Sequence, residues 1–141
     1  MIDDQITLSE VHSWHASEIV DLYRTGGWWD MGWSTDRIAH ILDRSFIFII
    51  AHDTQNRAVG MGRIIADGVA DGYIQDVVVF PEYRGHGIGE RIATTLRRLG
   101  LAHGLTWIGL ISAPDKESIY LRAGFSEMKN YTSMLFENEK N

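Results

Sequence analysis

The chain has 141 residues, 45% hydrophobic and 23% charged, which suits one ordinary soluble globular domain over residues 1–141 with enough length to bury a core. It contains no cysteine, so disulfides, thiolate metal sites and a cysteine nucleophile are excluded, and a reducing compartment fits. A formal charge of −6 disfavours a sequence-blind grip on nucleic acid, which needs a basic face to displace counterions, and no run approaches the ~18 apolar residues of a membrane span. The acidic start Met1-Ile-Asp-Asp4 is unlike a signal peptide, which points to the cytoplasm. Gln5 to Ser9 reads as a first strand, and Ala16 to Thr25 carries Ile19, Val20, Leu22 and Tyr23 at helical spacing before Gly26-Gly27 stops it. Ser34 is placed to cap a second helix with Ile38, Ile41 and Leu42 on one face, ending near Arg44. Ser45 to Ala51 and Ala58 to Ala66 read as an antiparallel hairpin turned by Asp53-Thr-Gln-Asn56. A Val-rich strand follows from Tyr73, then a helix over Ile88 to Ala102, a strand over Leu105 to Ser112 and a short helix from Asp115 to Ala123. Phe125 to Met128 and Thr132 to Phe136 are expected to close the fold as a final hairpin.

The most telling stretch is Tyr73-Ile-Gln-Asp-Val-Val-Val-Phe-Pro-Glu-Tyr-Arg-Gly-His-Gly-Ile-Gly89. A β-branched run breaks at a proline and reopens, through Arg84-Gly85-His86-Gly87-Ile88-Gly89, into a helix. Such a junction turns unpaired backbone N–H groups and the positive end of a helix dipole toward the turn, so an anion is its natural occupant. Glycines permit close approach of a phosphate, and Arg84 can add a charge-assisted hydrogen bond. No Gly-Lys-Ser/Thr follows, and no acidic ribose partner ends a second strand, so neither a nucleotide P-loop nor a dinucleotide fingerprint is spelled.

The motif resembles the acetyl-coenzyme A signature of the GCN5-related N-acetyltransferases, Arg/Gln-x-x-Gly-x-Gly/Ala after a Val-rich strand, with Arg84, Gly87 and Gly89 in register. Downstream, Tyr120-Leu-Arg-Ala-Gly-Phe125 is similar to the family's Tyr-x-x-x-Gly-Phe helix ending. The resemblance implies a mixed α/β fold, with a mostly antiparallel central sheet flanked by helices, whose fourth and fifth strands splay apart. It further implies acetyl-coenzyme A as co-substrate, no metal, and a cofactor site made by Val77, Val78 and Val79 with Arg84, Gly85, His86, Gly87, Ile88 and Gly89. Backbone groups of Val77 and Val79 would hold the pantetheine arm and polarise the thioester carbonyl.

By the same resemblance Tyr120 matches the tyrosine that protonates the departing coenzyme A sulfur. The expected chemistry is direct transfer to a primary amine, for which a small molecule is the first expectation and a peptide or protein amine the second. The base is less legible: Thr106-Trp-Ile-Gly-Leu-Ile-Ser112 lacks the carboxylate many relatives carry on the fifth strand. Asp76, just before Val77, can act directly, act through water, bind the amine or simply satisfy backbone donors. The asparagine common before the family tyrosine is also missing from Ala113-Pro-Asp-Lys-Glu-Ser118. For the acceptor, Trp28 and Trp29 stand in the loop where relatives build the acceptor wall, and tryptophan faces attract amines, although a core role suits them equally. The rival from another class is a catalytically silent acyl-coenzyme A binding module. Homodimers are common on this fold through the closing strands or the sheet edge, and Tyr131 to Phe136 do not decide the matter.

Overall fold

The segment Ile47-Phe-Ile-Ile-Ala-His52 is buried along its whole length, which a strand achieves only when both faces of its sheet are covered. In the computed structural model, which describes residues 3–138, it is β2 of a five-stranded sheet. The other strands are β1 (Thr7–Glu10), β3 (Ala58–Ala66), β4 (Asp71–Val79) and β5 (Trp107–Leu110). They lie in chain order, antiparallel from β1 to β4 and parallel between β4 and β5. Among the described residues four α-helices complete the fold: α1 (Ala16–Gly26), α2 (Asp36–Arg44), α3 (Ile88–Ala102) and α4 (Glu117–Arg122).

The two-residue period of β2 divides the core. Ile47, Ile49 and Ala51 pack with Ile88, Ile92 and Leu96 of α3 on one face. Phe48 and Ile50 pack with Ile19, Val20 and Leu22 of α1 and Ile38 and Leu42 of α2 on the other. Gly62 of β3 explains how closely α3 sits: a β-carbon there would lie 2.7 Å from Ile92 Cγ2 and 3.1 Å from Leu96 Cδ1.

Two irregularities of β4 set up the rest of the molecule. Opposite Gly62 the register slips between Met61 and Arg63, so that β4 carries one extra residue, and Asp76 there adopts a left-handed φ of 61°. Aspartate tolerates that conformation better than the valines beside it. Further, β4 pairs with β5 only from Asp71 to Ile74, opposite Trp107 to Leu110. Beyond Ile74 the β5-facing edge of β4 runs on to Val79 with no strand beside it, which is the expected splay.

Several boundaries differ from the sequence expectation. The first strand begins at Thr7 after a 3₁₀ turn over Asp3–Gln5 rather than at Gln5. The second helix is flanked by Thr35 rather than Ser34, although Ser34 Oγ still accepts from the Asp36 N–H at 3.2 Å. Among the described residues neither Asp115 nor any other side chain caps α4, and β5 is shorter than Leu105 to Ser112. The closing hairpin over Phe125–Met128 and Thr132–Phe136 does not form, and no strand is present from residue 125 to 138. Its apolar residues Met134-Leu-Phe136 are consecutive rather than alternating, and a two-stranded hairpin with no sheet behind it is marginal in water.

Candidate active site

The gap left between β4 and β5 is a cleft of about 610 Å³. Val77, Val78 and Val79 of β4 form its floor, the turn from Tyr83 through Arg84, Gly85 and Gly87 to the first turn of α3 forms one end, and α4 lines the opposite side with Ile119 and Tyr120. Strand alternation shows which backbone groups face it. The Phe80 N–H donates to Val59 O on β3 at 2.9 Å, so the preceding Val79 turns its own groups to the other side. There the Val79 carbonyl accepts from Arg84 Nε at 3.0 Å, which ties the arginine to the end of the open strand.

The glycine turn is built as its spelling suggests. Gly85 and Gly87 have φ of 82° and 76°, with no atom within 4 Å of a notional β-carbon, so conformation and not crowding demands glycine at both. Gly87 also starts α3, its carbonyl accepting from the Arg91 N–H at 3.0 Å. The N–H groups of Ile88, Gly89 and Glu90 precede that first helical bond and so lack an acceptor in the preceding turn. At Gly89 a β-carbon would merely touch Ile119 at 3.4 Å, so the first two glycines carry the geometric requirement. His86 is exposed and stands outside the cleft lining.

Tyr120 owes its position to the way α4 ends. The Phe125 N–H donates to Tyr120 O at 2.9 Å and the Gly124 N–H to Leu121 O at 3.2 Å, with Gly124 left-handed at φ 99°. This is a Schellman cap, and it brings the Phe125 ring edge-on to Tyr120 with centroids 6.3 Å apart. The Tyr-x-x-x-Gly-Phe spelling is thus a local capping requirement that locks the tyrosine against the cleft. Burial pushes the Tyr120 phenol above the ordinary tyrosine range.

Asp76 does not line the cleft. Its Oδ2 accepts from Tyr23 Oη at 2.8 Å and from Arg63 Nε at 2.7 Å, and Arg63 Nη1 donates onward to Ser45 Oγ at 3.3 Å. Burial first, and then the Asp76 carboxylate, hold the Tyr23 phenol far above its ordinary range. The Tyr23 ring in turn meets Trp28, whose indole lines the cleft, at a centroid distance of 6.3 Å. The aspartate network therefore stands behind the cleft wall, at the bulge. Asp76→Asn keeps an acceptor but removes the charge facing Arg63, and should lower unfolding stability by about 1–3 kcal/mol in urea titrations. A change within the experimental error would contradict the structural role of the pair.

Of the two tryptophans singled out by sequence, only Trp28 reaches the cleft. Trp29 packs onto the α1–α2 core with its ring against Tyr23 and Trp33. Residues that sequence reasoning did not single out also line it: Thr25, Gly26, Lys116, and the ion pair of Arg122 Nε with Glu90 Oε2 at 3.0 Å. The last joins residues 32 apart and carries no local signal. Gly26 is held to glycine by contact, because a β-carbon there would lie 2.5 Å from the Trp28 ring.

Comparison with known proteins agrees with this architecture. The family model described as "Acetyltransferase (GNAT) family" matches residues 8–125. A soybean (Glycine max) protein named "Probable acetyltransferase TAP2" is 29% identical over 119 residues, covering 75% of this chain and 48% of its own length. The chain spans about half the length of the first curated relatives it matches. Among solved structures, a Staphylococcus aureus protein described as a probable acetyltransferase superposes with a TM-score of 0.79 at 18% identity, covering 94% of this chain and 98% of that one. Glucosamine-6-phosphate N-acetyltransferase from Arabidopsis thaliana superposes with a TM-score of 0.70 at 16% identity, covering 94% and 99%. At such identities these two likenesses concern the fold.

Proposed function

The chain belongs to the acetyltransferase (GNAT) family, and from that premise we propose that it moves an acetyl group from acetyl-coenzyme A to a primary amine of a small molecule, by direct transfer with both substrates bound. One observation carries the reading: the open edge of β4, the left-handed glycine turn at the start of α3, and Tyr120 all border the same cleft.

The residues present fit acetyl-coenzyme A. Gly85 and Gly87 leave open space before the free N–H groups of α3, with Arg84 beside them, which suits a pyrophosphate. The backbone of Val77 and Val79 on the unpaired edge suits the amides of a pantetheine arm. When bound, the cofactor supplies an activated thioester. The protein's part is to align that carbonyl on β4, where backbone donors aimed at a developing oxyanion are worth on the order of 3 kcal/mol. As the amine nitrogen bonds to the acetyl carbon and the carbon–sulfur bond breaks, Tyr120 gives its proton to the sulfur. The amine loses one proton to water before it attacks, since an alkylamine is ~99.9% protonated at neutral pH and the carboxylate of Asp76 is engaged by Arg63 and Tyr23. The second proton, shed as the amide forms, returns by way of solvent to the Tyr120 phenolate. In this reading Asp76 is a positioning residue that fixes the bulge preceding Val77.

Trp28 supports an amine acceptor, because it lines the cleft and an indole attracts a cation. Gly26→Ala would displace that ring, so kcat/KM for the amine should fall on the order of tenfold while coenzyme A affinity is unchanged. A parallel loss of both would show that the substitution distorts the fold rather than the acceptor end. The reading as a whole is tested by incubating the protein with acetyl-coenzyme A and a panel of polyamines, aryl-alkyl amines, amino sugars, amino acids and short peptides, with mass spectrometry of the products. Acetylation of one small-amine class supports it; acetylation of peptides alone moves the acceptor to a protein amine; cofactor binding with no product anywhere favours the silent binding module.

A further inference from the structure

The phosphate end of the cleft carries a carboxylate, a charge that an anion site has to neutralise. Glu90 is the third residue of α3, one of the three whose N–H groups precede the first helical bond, and it lines the cleft. At a helix start a carboxylate is well placed for the helix, because it meets the positive end of the dipole. For a bound phosphate it is badly placed, since both negative charges would sit at the same helix end.

Arg122 answers that charge from the opposite wall. It lines the cleft from α4, and its Nε donates to Glu90 Oε2 at 3.0 Å. The Arg122 and Glu90 side chains are 57% and 36% exposed, and a pair so open to solvent adds little to the stability of a fold. Its place at the cofactor end gives it a different use. It also bears on the helix of the general acid: α4 has six residues, too few to persist alone, and its polar ties to α3 include the Glu90–Arg122 contact and the bond from Arg97 Nε to Ala123 O at 2.9 Å.

We propose that Arg122 is a positioning residue of the cofactor site, cancelling the charge of Glu90 so that the start of α3 can hold an anion, a role that rests on the reading of the cleft as an acetyl-coenzyme A site. The sign of the charge left behind separates this role from a merely structural one. With the pair intact, a phosphate meets no net charge from these two side chains. Losing Arg122 leaves Glu90 to repel it, and losing the Glu90 charge leaves Arg122 to attract it, so the two substitutions act in opposite directions. A pair that only fastens α4 to α3 is broken by either substitution, and both would then act in the same direction.

The test is calorimetric titration with coenzyme A, the free thiol, of the intact chain and of the Arg122→Gln, Glu90→Gln and double variants. Arg122→Gln should weaken binding about threefold to tenfold, Glu90→Gln should tighten it by a similar factor, and the double variant should return to within about twofold of the parent. Raising the salt to roughly 0.5 M should narrow the spread among the four, as screening of exposed charges requires. Circular dichroism and unfolding midpoints should barely move, because both side chains are open to solvent, and a tightening cannot come from a damaged fold. Weakening by Glu90→Gln, or four equal affinities, overturns the proposal while leaving the cofactor reading standing. No binding of coenzyme A to the intact chain overturns both.

Discussion

Replacing Tyr120 by phenylalanine should lower turnover of acetyl-coenzyme A with an amine about 100-fold or more, the ordinary contribution of a positioned general acid, while cofactor affinity should stay within a few-fold of the parent. The substitution removes one hydroxyl and leaves the edge-on contact with Phe125 and the Schellman cap of α4, so the cleft wall survives. The pH profile carries a second signature. Burial raises the Tyr120 pKa, so the phenol keeps its proton to higher pH than a free tyrosine, and loss of the acid should begin only above about pH 10. Below that, the rate should climb with pH as the amine deprotonates. Steady-state kinetics across pH, paired with calorimetry for affinity, separates these effects. A variant that turns over at the parent rate would remove Tyr120 from the chemistry.

Gly87→Val strikes the other end of the cleft. Residue 87 holds φ of 76° as it starts α3, a conformation that costs an L-residue roughly 1–2 kcal/mol and a β-branched one more. Where the free turn relaxes to avoid the strain, the conformation must be restored on binding, and the added side chain enters space that is open for a phosphate. Each 1.4 kcal/mol is tenfold in affinity, so calorimetric titration should show acetyl-coenzyme A binding weakened by about 10- to 30-fold. Unfolding midpoints should fall modestly, since no core residue is displaced. Unchanged affinity would mean that the turn does not hold the cofactor.

These two sites were legible in the sequence because each is a local backbone device. A glycine that must be left-handed at a helix start, and a Gly-Phe that must close a helix end, each keep their spelling within one short stretch, Arg84 to Gly89 and Tyr120 to Phe125. The amphipathic pattern of Ile88, Ile92 and Leu96 likewise announced a helix on a sheet. What the sequence hid was determined over distance. Nothing near Asp76 announces a left-handed residue inside a β-branched run, because the bulge lies opposite Gly62 of β3, a pairing made across the sheet rather than along the chain. The commitment of Asp76 to Arg63 and Tyr23 spans 13 and 53 residues. Trp28 and Trp29 are neighbours with the same chemistry, yet helix termination at Gly27, φ 79°, turns one to the cleft and the other into the core. The closing hairpin failed for a different reason: strand propensity at Thr132 to Phe136 is real, but a strand exists only when an edge receives it.

Whether the gap between β4 and β5 receives acetyl-coenzyme A is read by titrating the ¹⁵N-labelled protein with the cofactor and following its amide resonances. The largest shifts should fall at Gly85 to Glu90 and at Val77 to Val79, with the amides of β1 and β2, at the opposite end of the sheet, unmoved. Saturating cofactor that leaves those two segments unperturbed, or that shifts amides elsewhere in their place, would contradict binding in the gap.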